Sequence, residues 1–251
     1  MTTLDGRRAL VTGAGQGVGR GIALALAAEG AAVALLGRTE AKLHDVAKEV
    51  AELGAPATVI VADVTRPDDI ARAVDETVTA LGGLDVLVNN AQIPLHGSLL
   101  SVTDEAYLAC WESGPLAAFR LMRACRPHLG EGSVVINLGS GTSANPLPAG
   151  RGVYASAKAA IATLSRVAAT EWGPDGIRVL TVMPAATSPA AEAWAAANPD
   201  EYARSLESIP LRRLGDPVRD IGRVVAFLCS DSAAYLTATT ITLDGGQAYL
   251  R

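Results

Sequence analysis

Residues 8–19, RALVTGAGQGVG, decide the fold of this chain. The apolar run 9–11 leads directly into a glycine-rich turn, and an alanine-rich stretch over 17–29 follows it. A short apolar run predicts a buried strand, and the alanine-rich stretch predicts a helix. Glycines at such a turn allow close approach by a pyrophosphate, which binds the free N–H groups and the positive dipole at the helix N-terminus. The stretch therefore predicts a dinucleotide site, the alternative being a turn that serves only tight packing.

The rest of the chain alternates short apolar runs with longer amphipathic stretches. Because the runs are apolar nearly throughout, we expect strands buried on both faces, as in a parallel sheet. The predicted strands lie at 8–12, 31–37, 58–63, 84–89, 133–138, 178–183 and 239–243. The predicted helices lie at 17–29, 39–53, 67–81, 104–126, 152–172 and 217–230, with N-caps at Thr39, Asp104 and Asp216. This pattern predicts an α/β fold, a Rossmann-like doubly wound parallel sheet of about seven strands with helices on both faces, as a single domain over 1–251.

Composition excludes several classes of protein. Hydrophobic residues make up 49% of the chain and charged residues 19%, which favours a large core over disorder. The net charge of −5 argues against nucleic-acid binding, because such proteins carry a basic patch. No apolar run is long enough for a membrane span or a signal peptide, and the three cysteines form no disulfide framework, so we expect a cytoplasmic protein.

The end of the second predicted strand bears on the choice of cofactor. A dinucleotide fold that prefers NAD usually has an acidic residue there, which binds the ribose hydroxyls. Arg38 and Thr39 stand there instead. A guanidinium pairs with the 2′-phosphate of NADP, so Arg38 favours NADP(H) over NAD(H), the alternative being a solvated surface arginine. Gln16, in the glycine turn, is neutral and adds no second cation. Asp63, at the end of the third strand, either accepts a hydrogen bond from an adenine amino group or caps the following turn.

Three residues of the second half predict acid/base chemistry. Tyr154 and Lys158 lie four positions apart in a predicted helix, which places them on one helical face. The phenol of tyrosine ordinarily titrates near about 10, too high for proton transfer at neutral pH. A neighbouring ammonium, together with the positive charge of an oxidised nicotinamide, would stabilise the phenolate and lower that pKa. Ser140 follows the fifth strand and is placed to hydrogen-bond a substrate oxygen.

The chain resembles the short-chain dehydrogenase/reductase superfamily, in its single-domain branch, in six motifs: TGAGQGVG at 12–19, DV at 63–64, NNA at 89–91, LGS at 138–140, YASAK at 154–158 and DGG at 244–246. The resemblance covers essentially the whole chain. It implies hydride transfer between nicotinamide C4 and a carbonyl or alcohol carbon. In this scheme Tyr154 exchanges the proton of the oxygen, Ser140 polarises that oxygen, and Lys158 binds the nicotinamide ribose.

The resemblance also implies which residues bind the cofactor. Asp63 and Val64 would hold adenine, Asn89 and Ala91 would lie along the riboses, and Thr187 would contact the nicotinamide carboxamide. The full predicted cofactor-binding set is Gly13, Gly15, Gln16, Gly17, Val18, Gly19, Arg38, Thr39, Asp63, Val64, Asn90, Ala91, Gln92, Tyr154, Lys158, Pro184 and Thr187. Family members commonly form homotetramers, so we expect a homotetramer or a homodimer.

Four positions depart from the family pattern. Gln92 replaces a glycine, and the helical asparagine that helps a water chain reach the lysine is absent near Gly114. Pro115 removes a backbone donor and should kink or break its helix. The other two departures are Ala185 and Ala238. We therefore expect an active enzyme whose proton relay runs through Ser113 or bulk water. A cofactor-binding regulator without activity, and an epimerase or lyase of the same fold, are the alternatives.

Two stretches outside the predicted strands and helices, 91–103 and 184–216, follow carboxyl ends of strands, where open α/β sheets bind ligands. Within the second, the Ala-rich segment 190–208 predicts a short helical lid, in which Trp194 either lines the pocket or anchors the lid. The residues Leu95, Leu147, Pro148 and Trp194 predict a mainly apolar pocket for a small-molecule substrate. The scattered histidines and cysteines predict no metal site, because a structural site needs about four ligands.

Overall fold

The structure, a computed structural model, describes residues 3–145 and 150–248. The strands of this part of the chain are β1 (Arg8–Thr12), β2 (Ala32–Gly37), β3 (Ala57–Val61), β4 (Val86–Asn89), β5 (Val134–Leu138), β6 (Arg178–Pro184) and β7 (Thr240–Leu243). They form one sheet in the order β3-β2-β1-β4-β5-β6-β7, and every pairing is parallel. The predicted doubly wound parallel sheet is therefore confirmed, with strand ends within two residues of those expected.

Helices cover both faces of the sheet. They are α1 (Gly17–Ala28), α2 (Glu40–Glu52), α3 (Pro67–Leu81), α4 (Asp104–Trp111), α5 (Ala117–Cys125), α6 (Gly152–Trp172), α7 (Pro189–Ala197), α8 (Pro199–Glu207) and α9 (Arg223–Cys229). One apolar cluster, which includes Val11, Ile22 and Leu35, packs α1, α2 and α9 against one face. A second, which includes Leu10 and Leu121, packs α3, α5 and α6 against the other. Neighbouring residues of a strand point to opposite faces, which explains why the strand sequences are apolar nearly throughout.

The strand order places the ligand crevice between β1 and β4. β1 pairs with β2 on one side and with β4 on the other, and the chain runs outward in opposite directions from this point. In open α/β sheets such a reversal leaves a crevice at the carboxyl ends of the strands. Thr12 and Asn89 end these two strands, so the glycine turn and the segment after β4 share one edge of the sheet.

The helix predicted over 104–126 is interrupted at Pro115. A π-helical turn, Glu112–Leu116, joins α4 to α5 and contains this proline. A π turn is wider than an α turn, and this one includes the residue that lacks a backbone N–H. The expected kink or break at Pro115 thus takes the form of a widened turn between α4 and α5. A second π turn, Pro217–Gly222, precedes α9.

The helix caps were predicted with mixed success. Thr103, rather than Asp104, caps α4, because its side chain accepts a hydrogen bond from the N–H of Ala106. Asp216 accepts from two backbone N–H groups at the start of the Pro217–Gly222 turn, as predicted. Thr39 precedes α2 but its side chain makes no capping bond.

The segment between β6 and the Pro217–Gly222 turn, predicted to include a lid, contains two helices. The single lid helix predicted over 190–208 is two helices, α7 and α8, because Pro199 begins a new helix directly after Asn198. The two ends of the lid meet at the sheet edge. The N–H of Gly215 donates to the carbonyl of Ala185, and the N–H of Thr187 donates to the carbonyl of Gly215, both at 2.9 Å.

Candidate active site

The glycine turn is a cradle that side chains would fill. Gly13 and Gly17 have positive φ angles of 65° and 54°, which favour glycine. A Cβ at Gly13 would lie 2.8 Å from Asn90 Nδ2, and one at Gly19 would lie 2.5 Å from the same atom. Glycine is therefore required at these positions by close packing within the turn and against Asn90, and the free N–H groups at the N-terminus of α1 fit a pyrophosphate. Val18 packs against the core and offers the site only its backbone.

The residues after β4 hold the glycine turn in place. Asn90 Nδ2 donates to the carbonyl of Thr12 at 2.8 Å, and Thr12 Oγ1 accepts from the N–H groups of Asn90 and Ala91 at 2.9 and 3.0 Å. Asn90 and Ala91 thus shape the cradle from β4. Asn89, expected along a ribose, instead points into the core, where its Nδ2 donates to Asn137 Oδ1 at 2.7 Å. That expectation was wrong because successive side chains of a strand alternate between faces.

Asp63 and Arg38 lie together where β2 and β3 end. Asp63 Oδ1 accepts from the N–H and the hydroxyl of Thr65, at 2.9 and 2.8 Å, so this carboxylate caps the following turn. Its other oxygen lies 4.0 Å from Arg38 Nη1. Arg38 and Thr39 are exposed, which leaves both free to contact a ligand. Val64 is buried among core residues and presents only its backbone.

Lys42 is a cation of the site that the sequence analysis missed. Its Nζ donates to Gln16 Oε1 at 2.5 Å, and its Cβ lies 3.1 Å from the position of a Cβ at Gly15. A small cavity of about 230 Å³ beside the glycine turn is lined by Gly15, Gln16, Arg20, Lys42, Asp45, Val46, Glu49 and Pro189. Gln16 therefore brings a cation to the turn indirectly. The signal was available, since Lys42 lies four residues after Arg38 on the first turn of α2.

Tyr154 and Lys158 occupy the first turns of α6 on one face, as predicted. Lys158 Nζ lies 5.6 Å from the centre of the Tyr154 ring and donates to the carbonyl of Leu138, at the end of β5, at 2.6 Å. Ser140, two residues beyond β5, interacts with the Tyr154 phenol, while its shortest bond, 2.9 Å, joins it to Thr142 Oγ1. The structure therefore brings the three predicted catalytic side chains together.

Burial is the main influence on the pKa values of Tyr154 and Lys158. Burial raises the pKa of Tyr154, although the Arg151 guanidinium and the Ser140 hydroxyl both lower it. Burial also lowers the pKa of Lys158 to about 7, because little compensates the buried ammonium. The lowered phenol pKa expected from the sequence is thus not supplied by the protein groups alone, and the phenol stays protonated at neutral pH.

Gln92, a predicted cofactor contact, points instead toward α4. Its Nε2 lies 3.5 Å from the carbonyl oxygen of Cys110 and 3.6 Å from Cys110 Sγ. Ser113, the expected relay residue, donates its hydroxyl hydrogen to the carbonyl of Ala109 at 2.7 Å and accepts from the N–H of Ile93 at 3.2 Å. The hydroxyl of Ser113 is therefore committed to local backbone groups, which disfavours it as a relay.

The substrate side of the crevice is partly apolar. Leu95 packs with Tyr154 against a small cluster that includes Val153. Trp194 of α7 meets Tyr202 of α8 edge to face, with 6.1 Å between ring centres, so this tryptophan joins the two lid helices to each other. Thr187 and Pro184 lie at the carboxyl end of β6, half-buried. Leu147 and Pro148, also predicted to line the pocket, lie outside the described residues.

The described residues contain neither a candidate metal cluster nor a helix that could span a membrane. Across 3–145 and 150–248, the acidic residues, histidines and cysteines form no group of three placed to hold a metal ion. Over the same ranges no helix combines the length and the apolar character needed to cross a membrane.

Comparisons with known proteins match the chain over nearly its whole length. A family model described as enoyl-(acyl carrier protein) reductase matches residues 13–248. A 12alpha-hydroxysteroid dehydrogenase from Clostridium sp. is 40% identical, covering 98% of this chain and 98% of that enzyme. A glucose 1-dehydrogenase from Gluconobacter oxydans is 35% identical, covering 96% and 91%. The crystal structure of a short-chain dehydrogenase from Burkholderia cenocepacia in complex with NADP matches with a TM-score of 0.90 at 33% identity, covering 98% of this chain and 99% of that one.

Proposed function

This chain belongs to the short-chain dehydrogenase/reductase family of NAD(P)-dependent oxidoreductases, and from that premise we propose that it interconverts a ketone and a secondary alcohol with NADP(H). The observation that carries the proposal is the grouping of Tyr154, Lys158 and Ser140 at the ends of β5 and α6. A proton donor, a cation and a hydrogen-bonding hydroxyl are the groups that a polarised carbonyl oxygen needs.

Each residue of the trio has a distinct role. The nicotinamide cofactor, when bound, supplies or accepts the hydride. Tyr154 donates its phenolic proton to the substrate oxygen in reduction and takes it back in oxidation. Ser140 donates a hydrogen bond to the same oxygen and holds it beside the phenol. Lys158, fixed by its bond to Leu138, stabilises the phenolate left after proton transfer. Because burial keeps the phenol protonated, the site suits carbonyl reduction at neutral pH.

The preference for NADP(H) rests on two cations. Arg38 and Lys42 lie on the adenosine side of the glycine turn, and no acidic residue follows β2 at positions 37–39. Arg38 also faces the Asp63 carboxylate, but an exposed ion pair at 4.0 Å contributes about 0–1 kcal/mol. A 2′-phosphate, with its greater charge, competes well with that carboxylate. The NADP complex of the Burkholderia cenocepacia neighbour supports the same choice.

The substrate is proposed to be a small to medium, mainly apolar ketone or secondary alcohol. Leu95 and Val153 give the wall near Tyr154 an apolar character. A relative named as a 12alpha-hydroxysteroid dehydrogenase supports a substrate with an apolar, hydroxylated ring system. A relative named as a glucose 1-dehydrogenase makes a polar sugar the alternative class of substrate.

We also propose a homotetramer or homodimer in the cytoplasm. Large apolar side chains on α4, α5 and α6 are exposed: Leu108 by 55%, Phe119 by 41% and Val167 by 50%. Large exposed apolar side chains such as these suit an interface between copies of this chain. The cysteines at 110, 125 and 229 are free and buried, as suits a reducing compartment.

A turnover assay tests the proposed reaction. Purified protein is mixed with NADPH and a panel of cyclic ketones, a hydroxysteroid ketone, a ketose and a 2-enoyl thioester, and NADPH absorbance and products are followed. Ketone-dependent loss of NADPH with alcohol formed is the expected result. Tight NADPH binding without turnover of any substrate would favour the regulator instead. Product formed without net NADPH consumption would favour an epimerase or lyase, and reduction of the enoyl thioester alone would exclude the ketone reaction.

A further inference from the structure

The carboxamide of Gln92 occupies the space that a side chain at Gly114 would take. A Cβ placed on Gly114 would lie 2.6 Å from Gln92 Nε2 and 2.7 Å from Gln92 Cδ. Two such groups cannot occupy the same space, so the observed position of Gln92 requires glycine at 114. The two positions that depart from the family pattern, 92 and 114, are therefore in direct spatial contact.

The Gln92 amide is poorly bonded within the protein. Its Nε2 makes only long contacts, 3.5 and 3.6 Å, with the carbonyl and the thiol of Cys110. Its Oε1 is buried and accepts no hydrogen bond from any described residue. A buried carbonyl oxygen without a donor is strongly disfavoured, so this atom points to a further polar group at the site.

Lys158 lies on α6, the helix against which Cys110 packs. Cys110, whose thiol touches Gln92, packs in one cluster with Val153 and Ala157 of α6, and Ala157 directly precedes Lys158. The buried ammonium has three N–H groups, of which one donates to the carbonyl of Leu138 in the described structure. An unpaired acceptor and unused donors therefore border the same thiol.

We propose that Gln92 is a positioning residue for Lys158, with Oε1 accepting a hydrogen bond from a water molecule that itself accepts one from Lys158 Nζ. The carboxamide at this site thus comes from position 92, after β4, whereas the family pattern has an asparagine on the helix near position 114. The linked water gives Lys158 a path to solvent protons after Tyr154 has protonated a substrate oxygen. This catalytic consequence rests on the proposed function, whereas the placement of Gln92 beside Lys158 does not.

The placement is tested by titrating Lys158 with lysine-labelled protein in NMR, without substrate. Gln92→Glu keeps the shape of the side chain and puts a negative charge beside the ammonium, so it should raise the pKa of Lys158 by about one unit or more. The other titratable or charged groups around this site are Cys110, Tyr154 and, acting on Tyr154, Arg151. Cys110→Ala in both backgrounds separates the thiol titration. An unchanged or lowered Lys158 pKa in Gln92→Glu overturns the placement.

The catalytic consequence is tested by kinetics. Gln92→Met removes the acceptor at similar length, so kcat should fall about 10- to 100-fold and the solvent deuterium isotope effect should rise, with the KM for NADPH unchanged. Gly114→Ala should reproduce the loss by displacing the amide. Gly130→Ala, whose added methyl meets nothing within 4 Å, should not.

A rescue variant keeps the proposal falsifiable if a single variant folds poorly. Gln92→Gly/Gly114→Asn returns a carboxamide to the helix side and should recover kcat to within about tenfold of the wild type, a non-additive result for two contacting residues. Thermal melts verify folding of each variant. If both Gln92→Met and Gly114→Ala keep the kcat and the solvent isotope effect of the wild type, the relay role is overturned. If the wild type reduces no ketone, the proposed function fails, and the Lys158 titration still decides where Gln92 lies.

Discussion

Lys158 Nζ donates a 2.6 Å hydrogen bond to the main-chain carbonyl of Leu138 while the lysine is only 4% exposed. The bond ties α6 to the carboxyl end of β5 and fixes the ammonium beside Tyr154. Burial lowers the pKa of this ammonium from 10.5 to about 7. The site therefore holds a cation where the fold alone would favour a neutral group, a conflict typical of functional sites.

Replacing Lys158 by methionine should stabilise the protein while it removes activity. The folded-state pKa lies below the unfolded value, so the unfolded state binds more protons between pH 7 and 10.5, and the free energy of unfolding rises with pH across that window. The penalty for the buried charge is full below the folded-state pKa. We expect Lys158→Met to be more stable at pH 7 by about 0.5–2 kcal/mol. Urea unfolding from pH 7 to 9.5 should also show a smaller pH slope. A variant less stable than the wild type at pH 7, with an unchanged slope, would contradict this account.

Replacing Tyr154 by phenylalanine should separate binding from chemistry. The ring remains in its apolar cluster with Leu95 and Val153, so NADPH affinity should stay within about twofold of the wild type. Loss of the phenolic proton should lower kcat by about 100-fold or more. Fluorescence titration with NADPH and steady-state turnover measure the two quantities. Near-normal turnover would exclude Tyr154 as the acid/base.

Removing either cation beside the glycine turn should weaken NADP binding specifically. Arg38→Ala and Lys42→Ala should each raise the Kd for NADP(H) about 10- to 100-fold, because charge-assisted bonds contribute about 1.5–3 kcal/mol each. The Kd for NAD(H), which lacks the phosphate, should change little. Lys48→Ala is the matched control, since Lys48 lies on the same helix and pairs with Asp45. An equal loss of affinity for NADP(H) and NAD(H) would show that these cations do not bind the 2′-phosphate.

Adding a methyl group to the cradle should disrupt it. In Gly19→Ala the new Cβ would collide with the carbonyl of Gly13 and approach Asn90 Nδ2 to 2.5 Å. We expect a loss of about 1–3 kcal/mol in the free energy of unfolding and of cofactor binding. Gly130→Ala, with open space around the added group, should leave both unchanged. Calorimetry with and without NADPH measures the effect, and tight binding by Gly19→Ala would mean that the turn is not the cofactor cradle.

The fold could be predicted closely because burial leaves a strong trace in the sequence. Strands covered on both faces are apolar at nearly every position, so their ends were located to within two residues. The cap at Thr103 instead of Asp104 was a one-residue error, since both side chains are suitable caps. The π turn at Pro115 was not foreseen, because a local pattern shows that a donor is missing but not how the neighbouring turns adjust.

The site was predicted less completely, because its remaining features are contacts between distant residues. The side chain of Asn89 contacts Asn137 on the neighbouring strand β5. The sequence does not show which face of β4 this side chain lies on. Lys42 approaches Gln16 only when α2 packs beside the glycine turn. The coupling of Gln92 and Gly114 joins positions 22 residues apart and becomes visible only as a shared volume. Side-chain directions within one helix, as for Tyr154 and Lys158, could be predicted, whereas contacts between distant elements could not.

The bonds that join Ala185, Gly215 and Thr187 give the lid both of its attachment points at one spot on the sheet edge. Within the stretch between them, α7 and α8 contain no buried residue, whereas Ile209 is buried and the N–H of Leu211 donates to the carbonyl of Gly245 at 3.2 Å, so only the two helices are independent of the sheet. These two helices can accordingly be replaced by a segment of different length or polarity. Such a replacement would change the accepted substrate and leave Ser140, Tyr154 and Lys158 unchanged.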